Sequence, residues 1–320
     1  EPTLHPDLLA VLDACRIPGI GRVVLNSNGL RLANDPGLCA ALAERDVCVA
    51  LSYHANDRDT AQRIYGADLV ATKGKAMANL RAAGCRFVLL TALGRDLNES
   101  VIAECLDLLA HDPWMRGWCV QTMTYTGQGG GTFADSARSL RRHLPVDEAV
   151  DLICARSDGL LRASDFIPRP SAHPLCYRTG FVLRHDERLV PLSRLAEPAR
   201  IAGLLSDSYL PRLAGDPGFI RDLANEAVAK GVDSAHLAAL RGLIAACHPA
   251  KPLAEAERQR RAEERVRSIY VHAHMDEDTF DASRAMCCPD LVPTEPGRFV
   301  PACTYNLFHR MRDPRFYEGS

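Results

Sequence analysis

From Leu8 to about Phe133 the chain alternates two rhythms. Short runs of β-branched and apolar residues are separated by stretches whose apolar residues recur every three or four positions. The first rhythm predicts strands at Gly21–Gly29, Val47–His54, Cys85–Ala92 and Gly117–Thr122. The second predicts helices at Pro36–Glu44, Lys73–Ala83 and Glu99–Ala110. Strand and helix in alternation are the mark of repeated βα units and a parallel sheet. Each expected strand runs into polar residues: Asn26-Ser27-Asn28-Gly29, Ser52-Tyr53-His54, Gly94 to Asn98, and Tyr125 to Gly131. In parallel α/β folds ligands sit at the carboxyl ends of the strands, so these four polar ends are the first candidates for a site.

Beyond Ser136 the strand rhythm stops. Val146–Leu161 reads as helical, Asp165 to Cys176 as a proline-punctuated loop, and Pro198–Ala246 as further helices. Leu253–Arg267 reads as a charged helix whose Glu and Arg residues sit at pairing distance, a solvated face rather than a binding site, and the tail from Ser268 returns to a strand followed by loop. No internal repeat is visible.

Composition narrows the function classes. Lys and Arg total 38 against 40 Asp and Glu, so no excess of positive charge advertises nucleic acid as a partner. No apolar run reaches the length of a membrane span. Twelve cysteines in a long chain with an ample core are the usage of a reducing compartment, here expected to be the cytoplasm. Cys39, Cys48, Cys85, Cys105, Cys119 and Cys154 each fall singly in apolar-periodic segments and are expected to be inert core thiols.

The last fifty residues are densest in groups able to bind metal: His272, His274, Asp276, Asp278, Asp281, Cys287, Cys288, Cys303 and His309. Soft thiolates suit an iron-sulfur cluster, and Cys176 in the proline-rich loop adds a fourth sulfur. Their spacing lacks the CxxC pairs of a zinc ribbon, so the residues alone leave a cluster, another metal site and buried free thiols all open. His272-Ala273-His274 has the HxH form of metal-dependent hydrolases, but too little chain follows it to supply the other strands' ligands. Ordinary hydrogen-bonded histidines on one face of a strand are the simpler account.

Taken together, the strand-end residues resemble those of a radical S-adenosylmethionine (SAM) enzyme. Glu1-Pro2-Thr3-Leu4-His5-Pro6-Asp7-Leu8 looks like the end of that family's GGE motif, Asn28-Gly29 like the polar strand end that follows, and Gly94 to Asn98 like the next βα unit. The glycine-rich stretch after Thr126 looks like the close of the barrel. Asp165 to Cys176, Met275-Asp276, Phe280-Asp281, Arg284, Cys287-Cys288 and Pro301 to Asn306 are similar to the tetraether-synthase-like branch, which includes archaeal enzymes joining lipid chain ends and members once assigned to pterin methylation. Two departures are plain. Ser171 stands where the branch usually has Cys, and the CxxxCxxC loop that binds the catalytic 4Fe-4S cluster would precede Glu1.

The resemblance implies a partial (β/α)6 TIM-like barrel missing its first strand (1–135), a connecting region with the Cys loop (136–197), a helical region (198–267) and a C-terminal iron-sulfur domain (268–320). It implies SAM held by Glu1, Asn28, Ser52 and Asn98, and an auxiliary iron-sulfur cluster held by Cys176, Cys287, Cys288 and Cys303. The reaction would be hydrogen abstraction from an unactivated carbon by a 5′-deoxyadenosyl radical, leading to carbon–carbon coupling of lipid chains or to methyl or methylene transfer to a small molecule. Partners would be a lipid or small-molecule substrate and a reducing donor such as ferredoxin or flavodoxin, with peripheral membrane contact if the substrate is lipid. The alternatives are a non-catalytic cluster- or metal-binding module and an HxH hydrolase. The upstream sequence is expected to carry CxxxCxxC within about one βα unit of Glu1.

Overall fold

A computed structural model describes residues 1–125, 143–185, 188–203, 217–249, 251 and 253–313. The four expected strands are present as β1 (Val24–Ser27), β2 (Cys48–Ser52), β3 (Phe87–Leu93) and β4 (Met115–Thr122), joined in parallel in that order. Between them run α3 (Pro36–Glu44), α5 (Val70–Ala82) and α6 (Val101–His111), close to the helices that periodicity predicts, with α1 (Leu8–Ala14), α2 (Leu30–Asn34) and α4 (Arg58–Tyr65) added. Side-chain caps open two of them: Asp35 accepts from the Leu38 N–H, and Asp57 from the Thr60 N–H.

The sheet does not stop at β4. Residues expected to lack strands form β5 (Phe166–Pro168), β6 (Tyr177–His185) and β7 (Arg188–Pro191), and β8 (Val266–Ala273) follows the helical stretch. The physical reason is pairing: β6 lies antiparallel to β5, β7 and β8, a non-local arrangement that no local βα rhythm announces. β8 itself, which the resemblance would place in a separate C-terminal domain from residue 268, lies in the central sheet, parallel to β4 and next to β6. The result is a mixed α/β fold around a mostly parallel sheet in the order β1-β2-β3-β4-β8-β6-β5, with β7 on β6.

Among the described residues two large cores hold it. The larger joins the sheet to α1, α2, α3, α5, α6 and the helix Val146–Ala155, through residues such as Leu51, Leu89, Trp118, Ile102, Leu109, Ile153 and Ile269. The second packs Phe181, Leu183 and Val190 against Leu223, Leu240 and Leu243 of the later helices. On β2 four successive residues are buried, as expected of a strand covered on both faces. The charged helix Glu255–Arg265 pairs Glu257 with Arg260 and Arg261 as its spacing predicts, yet its Glu263 also binds Arg22 and Arg86 below the parallel strands. Cys39, Cys48, Cys85 and Cys105 are buried in the core and Cys119 and Cys154 half-buried. Burial pushes the Cys154 thiol up to about 11 and raises those of the other five. Among the described residues no helix is long and apolar enough to cross a membrane. The glycine-rich stretch after Thr126 lies outside the described residues.

Gly29 closes β1. Its φ is +79°, and a Cβ there would sit 2.5 Å from Cδ1 of the buried Leu51. Gly29→Ala should therefore cost about 1–3 kcal/mol, combining left-handed strain with overpacking, and lower the midpoint of urea unfolding.

Candidate functional site

Two groups of polar residues stand at the carboxyl ends of the parallel strands. The first surrounds Glu1. One carboxylate oxygen accepts from the Thr3 hydroxyl (2.6 Å), the Thr3 N–H (3.2 Å) and the Ser27 hydroxyl (2.9 Å); the other accepts from the Asn28 N–H at 2.7 Å. Partial burial alone would raise its pKa, but these donors outweigh it and hold the carboxyl below its ordinary value, so it is ionised at neutral pH. The Asn28 side chain accepts from the Leu30 N–H (2.9 Å), a local turn of the type Asn-Gly favours. Ser52, at the end of β2, is half-buried.

Asn98 is 1% exposed, and its amide is fully used. It donates to the carbonyls of His54 (2.7 Å) and Ala92 (2.8 Å) and accepts from the Gly94 N–H (2.9 Å), tying the end of β2 to the end of β3. Its evident work is to hold the rim in shape.

Lys73 belongs to the same pole and was not foreseen there. Its ammonium donates to the Asn28 carbonyl at 2.6 Å and lies 4.8 Å from the centre of the Tyr65 ring. Tyr65 in turn accepts from the His54 N–H at 2.6 Å. A lysine on the apolar phase of a helix, in line with the buried Ala76, Met77 and Leu80, is the signal that marks it. Lys73 is 1% exposed, and desolvation pulls its pKa down to about 8 although Glu1 opposes the shift; desolvation and the Lys73 charge likewise hold His54 at about 4.

The second group gathers around the end of β8. His272 stacks on Tyr177 (3.9 Å between ring centres) and lies 3.6 Å from an Asp290 oxygen, which also accepts from the Tyr177 hydroxyl. His274 follows at 4.0 Å between rings. Burial lowers the pKa of both, so both are neutral imidazoles.

Three of the four cysteines expected as ligands converge here. The Cys303 sulfur accepts from the Met275 N–H (3.3 Å) and lies 3.6 Å from His274 Nδ1; the Cys176 sulfur accepts from Arg284 Nε (3.4 Å). Burial first, then the neighbouring sulfurs of Cys288 and Cys176, push the Cys303 thiol up to about 11, and burial with the sulfur of Cys176 raises Cys288. Cys288 itself donates to the Asp290 carbonyl at 3.3 Å. Cys287 is exposed at the end of the helix Ala282–Met286. N–H groups aimed at sulfur are what a thiolate ligand receives from its surroundings, so this donor set fits an iron-sulfur group. Ser171, which stands where the branch it resembles usually has Cys, accepts from Arg169 Nε at 2.7 Å.

Between the ends of β4 and β8 opens a cleft of about 170 Å³, lined by Thr122, His143, Asp147, His274, Thr279 and Arg284 among others. His274 and Arg284 form its boundary with the cysteines. His143 and Asp276 face each other across 2.8 Å, and with Asp278 they are the one set of three among the described residues whose ligand-capable atoms all lie within 4.8 Å.

No known family model matches the chain. A curated protein of Methanocaldococcus jannaschii, named 7,8-dihydro-6-hydroxymethylpterin dimethyltransferase, is 22% identical over 341 aligned residues, covering 97% of this chain. The chain spans 66% of that relative's length.

The buried Lys73 has a pH signature. Its folded pKa of about 8 lies below the ordinary 10.5, so the unfolded chain binds more protons between those values. Stability is lowest below pH 8 and rises as pH climbs towards 10.5. Relative to Lys73→Met, the wild type should gain on the order of 3 kcal/mol between pH 7 and 10.5 in denaturant unfolding.

Proposed function

We propose that this chain is the core of a radical SAM enzyme that transfers a methyl or methylene group to a small molecule. The arrangement that carries the reading is the convergence of Cys176, Cys288 and Cys303, far apart in sequence, with N–H donors on two of the sulfurs, at the same end of the sheet as Glu1. The similarity to a protein named as a dimethyltransferase runs through both regions, and it supports transfer chemistry at a general level. Lipid-chain coupling is the less favoured outcome: a cleft of about 170 Å³ suits a compact molecule rather than a long chain.

In this reading the parallel run β1-β2-β3-β4-β8 is the arc of the expected partial barrel, and residues 268–320 carry the auxiliary cluster. Bound SAM and a reduced 4Fe-4S cluster supply the 5′-deoxyadenosyl radical. This chain's residues do the holding. Glu1, kept ionised by Thr3, Ser27 and Asn28, offers a fixed negative charge to the SAM ammonium. Lys73 holds the Asn28 carbonyl while Glu1 holds the Asn28 N–H, so the peptide beside the ligand is gripped on both sides. Asn98 and Ser52 shape the adenosyl side of the rim. Cys176, Cys288 and Cys303 would hold the auxiliary group, with His274 beside Cys303 as the nearest further donor. A reducing donor such as ferredoxin or flavodoxin completes the electron supply, and the cytoplasm is the matching compartment.

The protein expressed from its native gene and purified without oxygen should contain iron and sulfide, show 4Fe-4S EPR signals and form 5′-deoxyadenosine on reduction. Cys176→Ala and Cys303→Ala should each lower the iron content while leaving the catalytic cluster's signal. Zinc without iron would overturn the enzyme reading, and unchanged iron in both variants would remove the auxiliary cluster.

A further inference from the structure

The cleft between β4 and β8 contains an oriented acid–imidazole pair that the reading above leaves without a role. Asp276 follows β8 and is 2% exposed. One of its carboxylate oxygens accepts from the Thr279 hydroxyl (2.8 Å) and from the N–H groups of Asp278 and Thr279 (3.2 Å each). The other accepts from the Tyr125 N–H (3.1 Å) and meets His143 Nε2 at 2.8 Å. Burial alone would raise the pKa of this carboxyl, but the donors together bring it below the ordinary value, so it is ionised.

A carboxylate acceptor selects the tautomer of its partner's neutral ring: in that form Nε2 of His143 carries the hydrogen donated to Asp276, and the lone pair is on Nδ1. No described residue hydrogen-bonds to Nδ1. The His143 side chain retains 28% of its exposure, lines the cleft, and has the Tyr125 ring edge-on at 5.1 Å. The pair therefore has the two properties of a proton acceptor: a base facing a small cleft, and a buried group that orients it and stabilises its charged form. A divalent cation is the competing occupant of His143, Asp276 and Asp278. Both Asp276 oxygens already serve several donors and Asp278 is exposed, so a cation would have to displace bonds that hold the turn together.

We infer that His143, positioned by Asp276, is the catalytic base of this cleft, and that the cleft takes a compact fused nitrogen heterocycle of the dihydropterin kind named for the similar dimethyltransferase. The inference rests on the proposed transfer reading. A sulfonium donor gives up its methyl group without the bonding electrons, so a ring atom that gains this methyl in place of hydrogen must lose that hydrogen as a proton. In the step assigned to His143 the acceptor's bond to hydrogen breaks heterolytically and the proton goes to Nδ1; the electron pair left on the ring forms the new bond to the methyl carbon, whose bond to the sulfonium breaks with its pair staying on sulfur as a neutral thioether. Asp276 remains ionised and offsets the imidazolium charge. Thr122, Thr279 and Arg284, also on the cleft wall, are placed to meet the ring's polar edge.

Calorimetric titration of the chain with 7,8-dihydro-6-hydroxymethylpterin tests the ligand without any activity assay. Wild type should bind, and His143→Ala should bind at least tenfold more weakly. Nitrogen-15 NMR should find His143 as the Nε2–H tautomer in wild type and as a tautomer mixture in Asp276→Asn, a change that lost packing alone does not produce. In the cluster-loaded protein expressed from its native gene, His143→Ala should lose about 10²–10⁴-fold in methyl transfer while 5′-deoxyadenosine formation persists. Equal pterin affinity in wild type and His143→Ala, or tight one-to-one Mn²⁺ or Zn²⁺ binding that both variants abolish, would overturn the inference. Loss of 5′-deoxyadenosine formation in the wild type would instead count against the radical SAM reading itself.

Discussion

The pairing of β4 with β8 is the constraint on which the site depends. About 145 residues separate the two strands, yet Gly117 to Thr122 run in parallel register with Ser268 to Ala273. The approach is close enough that a Cβ on Gly117 would lie 2.9 Å from the Ser268 carbonyl oxygen. Because the strands are parallel, both deliver their polar continuations to the same end of the sheet. Were β8 shifted by one residue, His272 would move to the opposite face and lose its stacking on Tyr177.

That pairing turns two unconnected stretches into one rim. From the first half come Glu1, Asn28, Ser52 and the Asn98 brace; from the second come His272, His274, Asp276 and, through the loops that follow, Arg284 and Cys303. Cys176 arrives at the start of β6, whose antiparallel pairing with β8 brings Tyr177 opposite His272. The cleft lies where the two contributions meet, as expected of a ligand site at strand ends. Electrostatics differ between the two. The Glu1 pole is a fixed negative charge next to a buried lysine, whereas at the β8 pole burial favours the neutral forms of His272, His274 and Cys303.

The charged groups at the two ends of the sheet do different work. Below the strands Glu263 bridges Arg22 and Arg86, joining the charged helix to the parallel arc. Above them the polar groups are small, oriented by backbone N–H groups and braced by side chains such as Asn98. A rim of that kind holds its polar groups in set orientations at the ends of the strands.

Local periodicity by itself determined β1 to β4, the helices α3, α5 and α6, the thiols that lie in the core and the polar strand ends, because each depends on residues within one or two turns of each other. It also drew attention to Cys176, Cys288, Cys303 and the histidines near the C-terminus, since unusual residue types stand out wherever they fold. Tertiary structure alone decided that β6 and β8 enter the central sheet, that Cys287 is exposed while three other cysteines converge, that Lys73 grips the Asn28 carbonyl, and that Asp276 aligns His143. Lys73 lies 45 positions from Asn28 and His143 lies 133 from Asp276, and a contact across such a distance leaves no period in the sequence from which it could be read.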